Sequence, residues 1–298
     1  MTLLSKKLIL IVFALLSISV LSLGLWWQDF LSTPMTPASP QVIQIKSGSA
    51  FGRVATQLEQ AGIISDAKRF TLLARWHKST GQVHAGEYLF EAPAPPGVVL
   101  ARLVNGDIRK FQVTIPEGFN LREFATRLEK TGIAPADKFL ALCNDTDFLK
   151  TLDVEAPSLE GYLFPETYTY TSSTSPRQLL QEMVNQLQTQ LTPELLQQAK
   201  DLGLDRHQLI TLASIIQKEA GNIMEMPLIS AVFHNRLRRG IPLQADPTVI
   251  YGVADFDGNL TRKHLETPTP YNTYRMRGLP PGPIASPGRF ALHAAANP

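Results

Sequence analysis

The chain is poor in cysteine, since Cys143 is the single example among its 298 residues. One cysteine excludes an intrachain disulfide and supplies too few thiolates for a cysteine-based zinc site. The six histidines show no H-x-x-x-H spacing, and the sequence contains neither a G-x-S-x-G elbow nor a P-loop. We therefore expect no metal and no organic cofactor, and nothing indicates serine-esterase or nucleotide chemistry.

The chain also lacks an excess of charge of one sign. Its 28 basic residues are nearly balanced by 26 acidic residues, and no run of lysine and arginine occurs. Proteins that bind nucleic acid usually carry such a basic patch, so we expect no nucleic-acid partner. Hydrophobic residues make up 44% of the chain, which excludes a largely disordered protein.

One long uncharged segment lies near the N-terminus. Residues 8–27 contain 20 uncharged residues, about the length that a helix needs to cross a bilayer. Lys6 and Lys7 precede this segment, and the positive-inside bias then predicts a cytoplasmic tail at 1–7 with the rest of the chain outside. A cleaved signal peptide is the alternative, but two tryptophans stand where small residues would be required. We predict a single-pass transmembrane helix at 8–27.

A short linker and an internal repeat follow. Residues 28–40 include a proline-rich stretch without periodicity, which is typical of an extended tether. Residues 43–63 and 113–133 then resemble each other at a constant offset of 70 residues. Each copy has alternating apolar residues, then a glycine, then an amphipathic helix that ends at Gly62 or Gly132. The copies resemble LysM modules, which bind glycans, although a structural duplication would give the same pattern.

The composition changes near residue 150, and we place a domain boundary there. The predicted domains are a LysM-like region at 41–150 and a second domain at 151–298.

In the second domain, Asp205 can cap a helix that stops at Gly221. Glu219 lies seven residues after Leu212 and therefore shares the apolar face of this helix. Apolar surroundings would raise the pKa of the Glu219 carboxyl and suit it for general acid catalysis. A glutamate at a helix end can also be merely solvated.

Several motifs occur in a characteristic order in this domain. They are LEGYLFPETY (159–168), ASIIQKEAG (213–221), NRL (235–237), LQADPTVIYG (243–252), YNTY (271–274) and GLPPGPI (278–284). Together with the apolar segment and the LysM-like region, this ordered set resembles the YceG-like family of endolytic murein transglycosylases. The resemblance implies an enzyme that cleaves the glycan strands of peptidoglycan.

The resemblance assigns the catalytic role to Glu219. This residue matches the second acidic position of the family's E-K-E pattern, and Gln217 occupies the first position here. As the family's chemistry implies, Glu219 would protonate the glycosidic oxygen between N-acetylmuramic acid and N-acetylglucosamine. It would then deprotonate the muramic C6 hydroxyl, which closes on C1 and leaves a 1,6-anhydro end. One carboxylate suffices for this reaction, whereas hydrolytic glycosidases usually use two.

Other side chains in the matching motifs are candidate substrate-binding residues. They would stabilise an oxocarbenium-like transition state or stack on sugar rings. The candidates are Tyr162, Glu166, Asn235, Gln244, Asp246, Thr248, Tyr251, Asn272 and Tyr274. Some have simpler explanations, because Asp246 before Pro247 is common in turns and Asn235 could face solvent.

These expectations combine into one α+β architecture with a transmembrane helix, a LysM-like region and a mixed α/β catalytic domain. The predicted location is the bacterial inner membrane, with the C-terminal domain in the periplasm. Expected partners are peptidoglycan glycan strands, the membrane and cell-wall synthases. A membrane-anchored, non-catalytic glycan-binding scaffold is the alternative. Because family members continue past this chain's last residue with a YLYFV-like strand, we also expect the catalytic domain to be truncated.

Overall fold

The computed structural model describes residues 3–254 and 256–298 and has a mixed α/β fold. Residues 1 and 2 of the predicted cytoplasmic tail lie outside the described residues. Contacts divide the chain into two compact units. The first unit runs to Phe111 and includes residues 171–173, and the second contains the rest of the chain from Gln112 onward.

The first unit begins with the predicted N-terminal helix. Helix α1 (Leu3–Ser32) contains a 23-residue apolar stretch, Leu10–Ser32, that is long and apolar enough to cross a membrane. The helix is longer than the predicted span of 8–27, so the first part of the predicted linker at 28–40 is helical. Helical backbone satisfies its own polar groups, as crossing a bilayer requires.

The last turn of α1 packs against the first unit. Phe30 is only 1% exposed, and the Arg69 guanidinium lies 3.9 Å from the ring centre of Trp26. Further along, Met35 forms an isolated antiparallel bridge with Ala94. The segment at 28–40, which was expected to be an extended tether, is therefore partly attached to the rest of the first unit.

The remaining elements of the first unit enclose a small core. They are β1 (Gln41–Ile45), α2 (Phe51–Gln60), α3 (Ala67–Trp76), β2 (Gly86–Phe90) and α4 (Pro96–Asn105). Strands β1 and β2 are antiparallel, with Gln41 opposite Phe90 and Ile45 opposite Gly86. Alternate strand residues and the apolar faces of the helices meet in one cluster that includes Val54, Leu58 and Tyr88.

The second unit is mainly helical. Its elements are β3 (Phe111–Thr114), α5 (Leu121–Lys130), α6 (Ala136–Cys143), α7 (Thr146–Thr151), β4 (Thr167–Tyr170), α8 (Pro176–Gln190), α9 (Pro193–Asp201), α10 (Arg206–Glu219), α11 (Met226–Arg238), α12 (Asp246–Gly252), α13 (Arg262–Glu266) and α14 (Arg289–Ala296). Strands β3 and β4 form a two-stranded sheet. Helix α10 lies among α9, α11, α12 and α14.

Both repeat copies have the predicted local structure, a strand followed by a helix. Gly62 and Gly132 follow their helices with left-handed backbone angles, φ +70° and +76°, which suit a helix C-terminus. The copies nevertheless belong to different units, because Phe124 and Leu128 are buried in the core of the second unit. The compact units therefore divide between Phe111 and Gln112, whereas the sequence predicted a boundary near residue 150.

Candidate active site

Helix α10 carries Glu219 as its last residue. Asp205 caps the N-terminus by accepting from the Gln208 backbone N–H, and the Gln208 side chain bonds back to complete a capping box. Residues 209–216 are all buried, so the helix is fixed on every side up to its last turn. Ala220 then leaves helical geometry with ψ 128°. A rigid element thus presents Glu219 where the core ends.

The surroundings of Glu219 favour its protonated form. Its side chain reaches solvent, yet partial burial and the Asp246 carboxylate raise the pKa of Glu219 above its ordinary value, while Arg236 lowers it. Among the residues that the structure describes, no group hydrogen-bonds the Glu219 carboxyl. The acid is therefore free to donate its proton to a bound ligand.

Asp246 is the first residue of α12, and its orientation is set by Tyr274. The Tyr274 hydroxyl donates to Asp246 Oδ1 at 2.6 Å. Burial and this carboxylate raise the pKa of Tyr274 to about 12, so the phenol keeps its proton. The structure thus brings Glu219, Asp246 and Tyr274 together from three separate sequence motifs.

Arg236 on α11 provides the positive charge of the site. Its Nη1 donates to the Leu243 carbonyl and, at 3.3 Å, to Gln244 Oε1. Gln244 itself has a left-handed backbone with φ +53°, which is uncommon for a residue with a side chain. Its N–H donates to the Thr273 carbonyl at 3.0 Å. These contacts hold the chain that leads into Asp246.

Thr248 and Asn272 have buried side chains that join loops. Thr248 Oγ1 donates to the Ala245 carbonyl at 2.7 Å and lies 2.8 Å from Thr273 Oγ1. Asn272 Nδ2 donates to three backbone carbonyls between residues 264 and 267, and its Oδ1 accepts from the Tyr274 N–H. Both residues are 0% exposed. The structure therefore places them behind the site, where they position Asp246 and Tyr274.

Glu160 is a buried carboxyl next to these elements. It is 7% exposed, and it accepts from the Leu121 N–H at 3.2 Å and the Tyr251 hydroxyl at 3.1 Å. Burial raises the pKa of Glu160 to about 7, and these two hydrogen bonds oppose the shift. Tyr251 thus contacts Glu160, although the sequence grouped Tyr251 with the glycan-binding candidates.

The Gly161 position explains how the LEGYLFPETY and GLPPGPI segments meet. Gly161 has φ +78°, and a Cβ there would collide with Pro283. Only glycine combines this backbone angle with so close an approach. From the same proline-rich segment, the Ile284 N–H donates to Ser214 Oγ at 3.1 Å, and the Gly288 N–H donates to Gln217 Oε1 at 2.9 Å. The segment therefore fixes the last turns of α10.

Three predicted site residues lie away from this group. The Tyr162 hydroxyl is 2.7 Å from His207 Nδ1 at the start of α10, and at 1.5 Å per residue Glu219 lies about 18 Å further along the helix. Glu166 has an exposed side chain, and its carbonyl accepts from the Ile115 N–H. Asn235 is also exposed and accepts from Arg238 at 2.6 Å.

Sequence reasoning missed Arg236 and Glu160 as site residues. Arg236 directly follows Asn235 in the NRL motif, so the motif itself contained the signal. Glu160 and Glu166 both belong to LEGYLFPETY, and the sequence did not distinguish the buried carboxyl from the exposed one. The hydrogen bond to Tyr251, 91 residues later, selects Glu160.

A carboxyl with a raised pKa, at the end of a fixed helix and beside a second carboxylate, defines a general-acid site of the kind found in enzymes that cleave glycosidic bonds. The chain matches the YceG-like family over residues 43–298. It therefore belongs to the YceG-like family.

Two named relatives and one crystal structure are similar to this chain and agree with its family membership. The chain is 31% identical over 272 residues to an endolytic murein transglycosylase of Bacillus subtilis (strain 168), covering 86% of this chain and 75% of the relative. An endolytic murein transglycosylase of Streptococcus pneumoniae (strain D39) is 29% identical, and the chain spans only 52% of its length. The crystal structure of a YceG-like protein from Listeria monocytogenes matches with TM-score 0.59 and 29% identity, covering 87% of this chain and 90% of that one.

Proposed function

We propose that this protein is an endolytic murein transglycosylase that cleaves bonds between N-acetylmuramic acid and N-acetylglucosamine in glycan strands. The observation that carries the proposal is the position of Glu219, whose carboxyl has a raised pKa and faces solvent from the end of a buried helix. Family membership and the names of the relatives support the same reaction.

Glu219 performs both proton transfers of the proposed reaction. In its protonated form it donates to the glycosidic oxygen as the bond to the muramic C1 breaks. The resulting carboxylate then takes the proton of the muramic C6 hydroxyl while that oxygen bonds to C1. The proton given in the first step is regained in the second, so the products are an N-acetylglucosamine end and a 1,6-anhydro muramic end without uptake of water.

The neighbours of Glu219 suit the charge that develops in this reaction. The Asp246 carboxylate offers negative charge to an oxocarbenium-like centre, and the Tyr274 hydroxyl fixes its direction. Once Glu219 has lost its proton, the positive charge of Arg236 partly neutralises the Glu219 carboxylate. Gln244, which accepts from Arg236, is proposed to contact the sugars, as is Tyr251, and Asn235 is proposed as a more distant contact.

The remaining assignments concern the whole chain. We place α1 in the bacterial inner membrane and both units in the periplasm, with strand 41–45 and the following helix acting as part of a glycan-binding, LysM-like region. Tyr162 and Glu166 are proposed to contact sugars of a long glycan strand at positions away from Glu219. Contact with cell-wall synthases would bring the enzyme to newly made glycan.

The deciding experiment uses the full chain in detergent with purified peptidoglycan. The released muropeptides are analysed by mass spectrometry for the unmodified protein, Glu219→Gln and the control Glu182→Gln, which changes an exposed glutamate on α8. We expect anhydromuramic ends from the unmodified and control proteins and none from Glu219→Gln. Reducing ends would indicate hydrolysis instead. Absence of products from all three folded proteins would support a glycan-binding scaffold and contradict the proposal.

A further inference from the structure

A cavity of about 720 Å³ opens beside the end of α10. We call it the Glu160 pocket, and its lining includes Arg122, Glu160, Lys218, Tyr251, Phe256 and Ile284. The volume falls within the range of pockets that hold small ligands. Of the roles assigned above, only the proposed sugar contact of Tyr251 involves this lining.

The lining of the Glu160 pocket includes a sequence neighbour of each carboxyl of the candidate active site. Lys218 precedes Glu219 on α10, and Pro247, which also lines the pocket, follows Asp246 on α12. A substituent on the sugar that is cleaved would therefore have a place beside the scissile bond. The buried Glu160 carboxyl belongs to the same lining, and its contacts to Leu121 and Tyr251 keep it in place.

The chemistry of the lining differs from that of a sugar-binding groove. Two cationic side chains, Arg122 and Lys218, are exposed, and one part of the wall is aliphatic, with Ile250, Val253 and Ile284. Lys218 Nζ also donates to the Gly118 carbonyl at 3.2 Å. The acidic Glu123 is also present, but its carboxylate accepts from the Asn120 N–H in the capping box of α5. A ligand with carboxylates and small apolar groups fits this combination best.

We propose that the Glu160 pocket binds the stem peptide attached to the lactyl group of the cleaved muramic acid. This proposal rests on the proposed function and names a substrate determinant beyond the glycan chain. Stem peptides combine methyl side chains with free carboxylates, and they leave the sugar next to the bond that Glu219 cleaves. Arg122 and Lys218 pair with the carboxylates, and the aliphatic walls contact the alanine methyl groups.

A pair of arginines on α5 allows a matched test. Arg122 donates to the Ala254 carbonyl at 3.3 Å, and Arg127 donates to the Thr114 carbonyl at 3.1 Å. Both are exposed, and each contacts one backbone oxygen, but only Arg122 lines the pocket. Arg122→Gln and Arg127→Gln therefore remove the same charge from the same helix with different consequences for the ligand.

The measurement is binding, made on full-length protein in detergent that carries Glu219→Gln so that no bond is cleaved. Calorimetry compares glycan oligomers that carry stem peptides with the same oligomers after an amidase has removed the peptides. We expect tighter binding of the peptide-bearing oligomers. Adding Arg122→Gln should weaken their binding about two- to fivefold and leave the stripped oligomers unaffected, while Arg127→Gln changes neither.

Two results would overturn the proposal: equal binding of both oligomers by the reference protein, or equal weakening of both by Arg122→Gln. Failure of the transglycosylase function is a separate result. It would appear as absence of cleavage by protein with intact Glu219 on either substrate, and the binding preference would still be measurable.

Discussion

Glu219 and Asp246 are carboxyls of the same chemical type whose surroundings give them different roles. Glu219 has no hydrogen-bond partner among the described residues, whereas Asp246 accepts from the Tyr274 hydroxyl at 2.6 Å. The negative charge of Asp246 favours the protonated form of the neighbouring Glu219. In the proposed mechanism, proton donation therefore belongs to Glu219 and charge stabilisation to Asp246.

The charges around Glu219 predict opposite changes in the pH dependence of cleavage. General acid catalysis needs protonated Glu219, so activity falls as the pH rises through its pKa. Asp246→Asn removes a group that raises this pKa and should move the alkaline fall to lower pH. Arg236→Gln removes a group that lowers it and should move the fall to higher pH. Profiles of kcat/KM against pH measure both shifts, because they report on the free enzyme.

Arg239→Gln is the control for the arginine variant, since Arg239 is exposed and follows α11 directly. Its profile should match that of the unmodified protein. Shifts of the Asp246 and Arg236 variants in the same direction would contradict the assignment of Glu219 as the titrating acid.

At the scale of elements, the sequence predicted single helices better than their ends. The sequence predicted the N-cap at Asp205 correctly. However, α10 ends at Glu219, two residues before the expected end at Gly221, because Ala220 has an extended backbone. The polar, glutamine-rich segment at 176–200 forms two helices, α8 and α9. Thr192 caps the second and Pro193 begins it, and this Thr-Pro pair was a signal for a helix start.

The grouping of loops around the site was not predictable from local patterns. Hydrogen bonds between the LQADPTVIYG and YNTY segments join residues 25 to 29 positions apart, and the bond from Tyr251 to Glu160 spans 91 positions. Periodicity and capping act within a few residues. Only the ordered motifs of the family resemblance indicated that these segments share one site.

The contact between Thr273 and Ala245 provides a test of this loop assembly. Thr273 Oγ1 accepts from the buried Ala245 N–H at 3.0 Å, so Thr273→Val leaves this donor unpaired. We expect the free energy of unfolding to fall by about 1–3 kcal/mol and cleavage to slow, because Asp246 follows Ala245 directly. Chemical denaturation and a cleavage assay measure the two effects.

Thr126→Val is the matched control, since the exposed Thr126 hydroxyl donates only to the Arg122 carbonyl within α5. It should change stability by less than about 0.5 kcal/mol. An equally small effect of Thr273→Val would show that the loop connection contributes little.

At the scale of the whole molecule, the compact units divide at a different place from the boundary that the sequence predicted. Both copies form a strand and a helix, and this similarity suggested that they belong to one region ending near residue 150. Packing decides otherwise, because the second copy buries Phe124 and Leu128 in the core around α10. Similar local sequence does not determine which core a segment joins.

The attachment of α1 predicts how soluble versions of the protein behave. A version that begins at Trp26 keeps the tilted Trp27–Phe30 ring pair and the Arg69 contact, whereas a version that begins at Thr33 loses them. Loss of a buried phenylalanine costs about 3 kcal/mol or more. We therefore expect the thermal transition of the first unit to fall by about 12–24 °C, as measured by calorimetry.

Phe30→Ala in the longer version should reproduce most of this loss, and the transition of the second unit should stay unchanged. Equal stability of the two versions would mean that the helix end does not support the fold.

The packing of Phe30 and Trp26 also concerns the motion of the first unit. With α1 in the bilayer, a unit attached at the last helical turn has no free hinge and moves as one body with its anchor. The proposed binding of glycan by this unit would then involve two-dimensional diffusion within a layer of nearly constant height. Encounter rates would depend on lateral mobility in the membrane and on how close to the bilayer surface the strands lie.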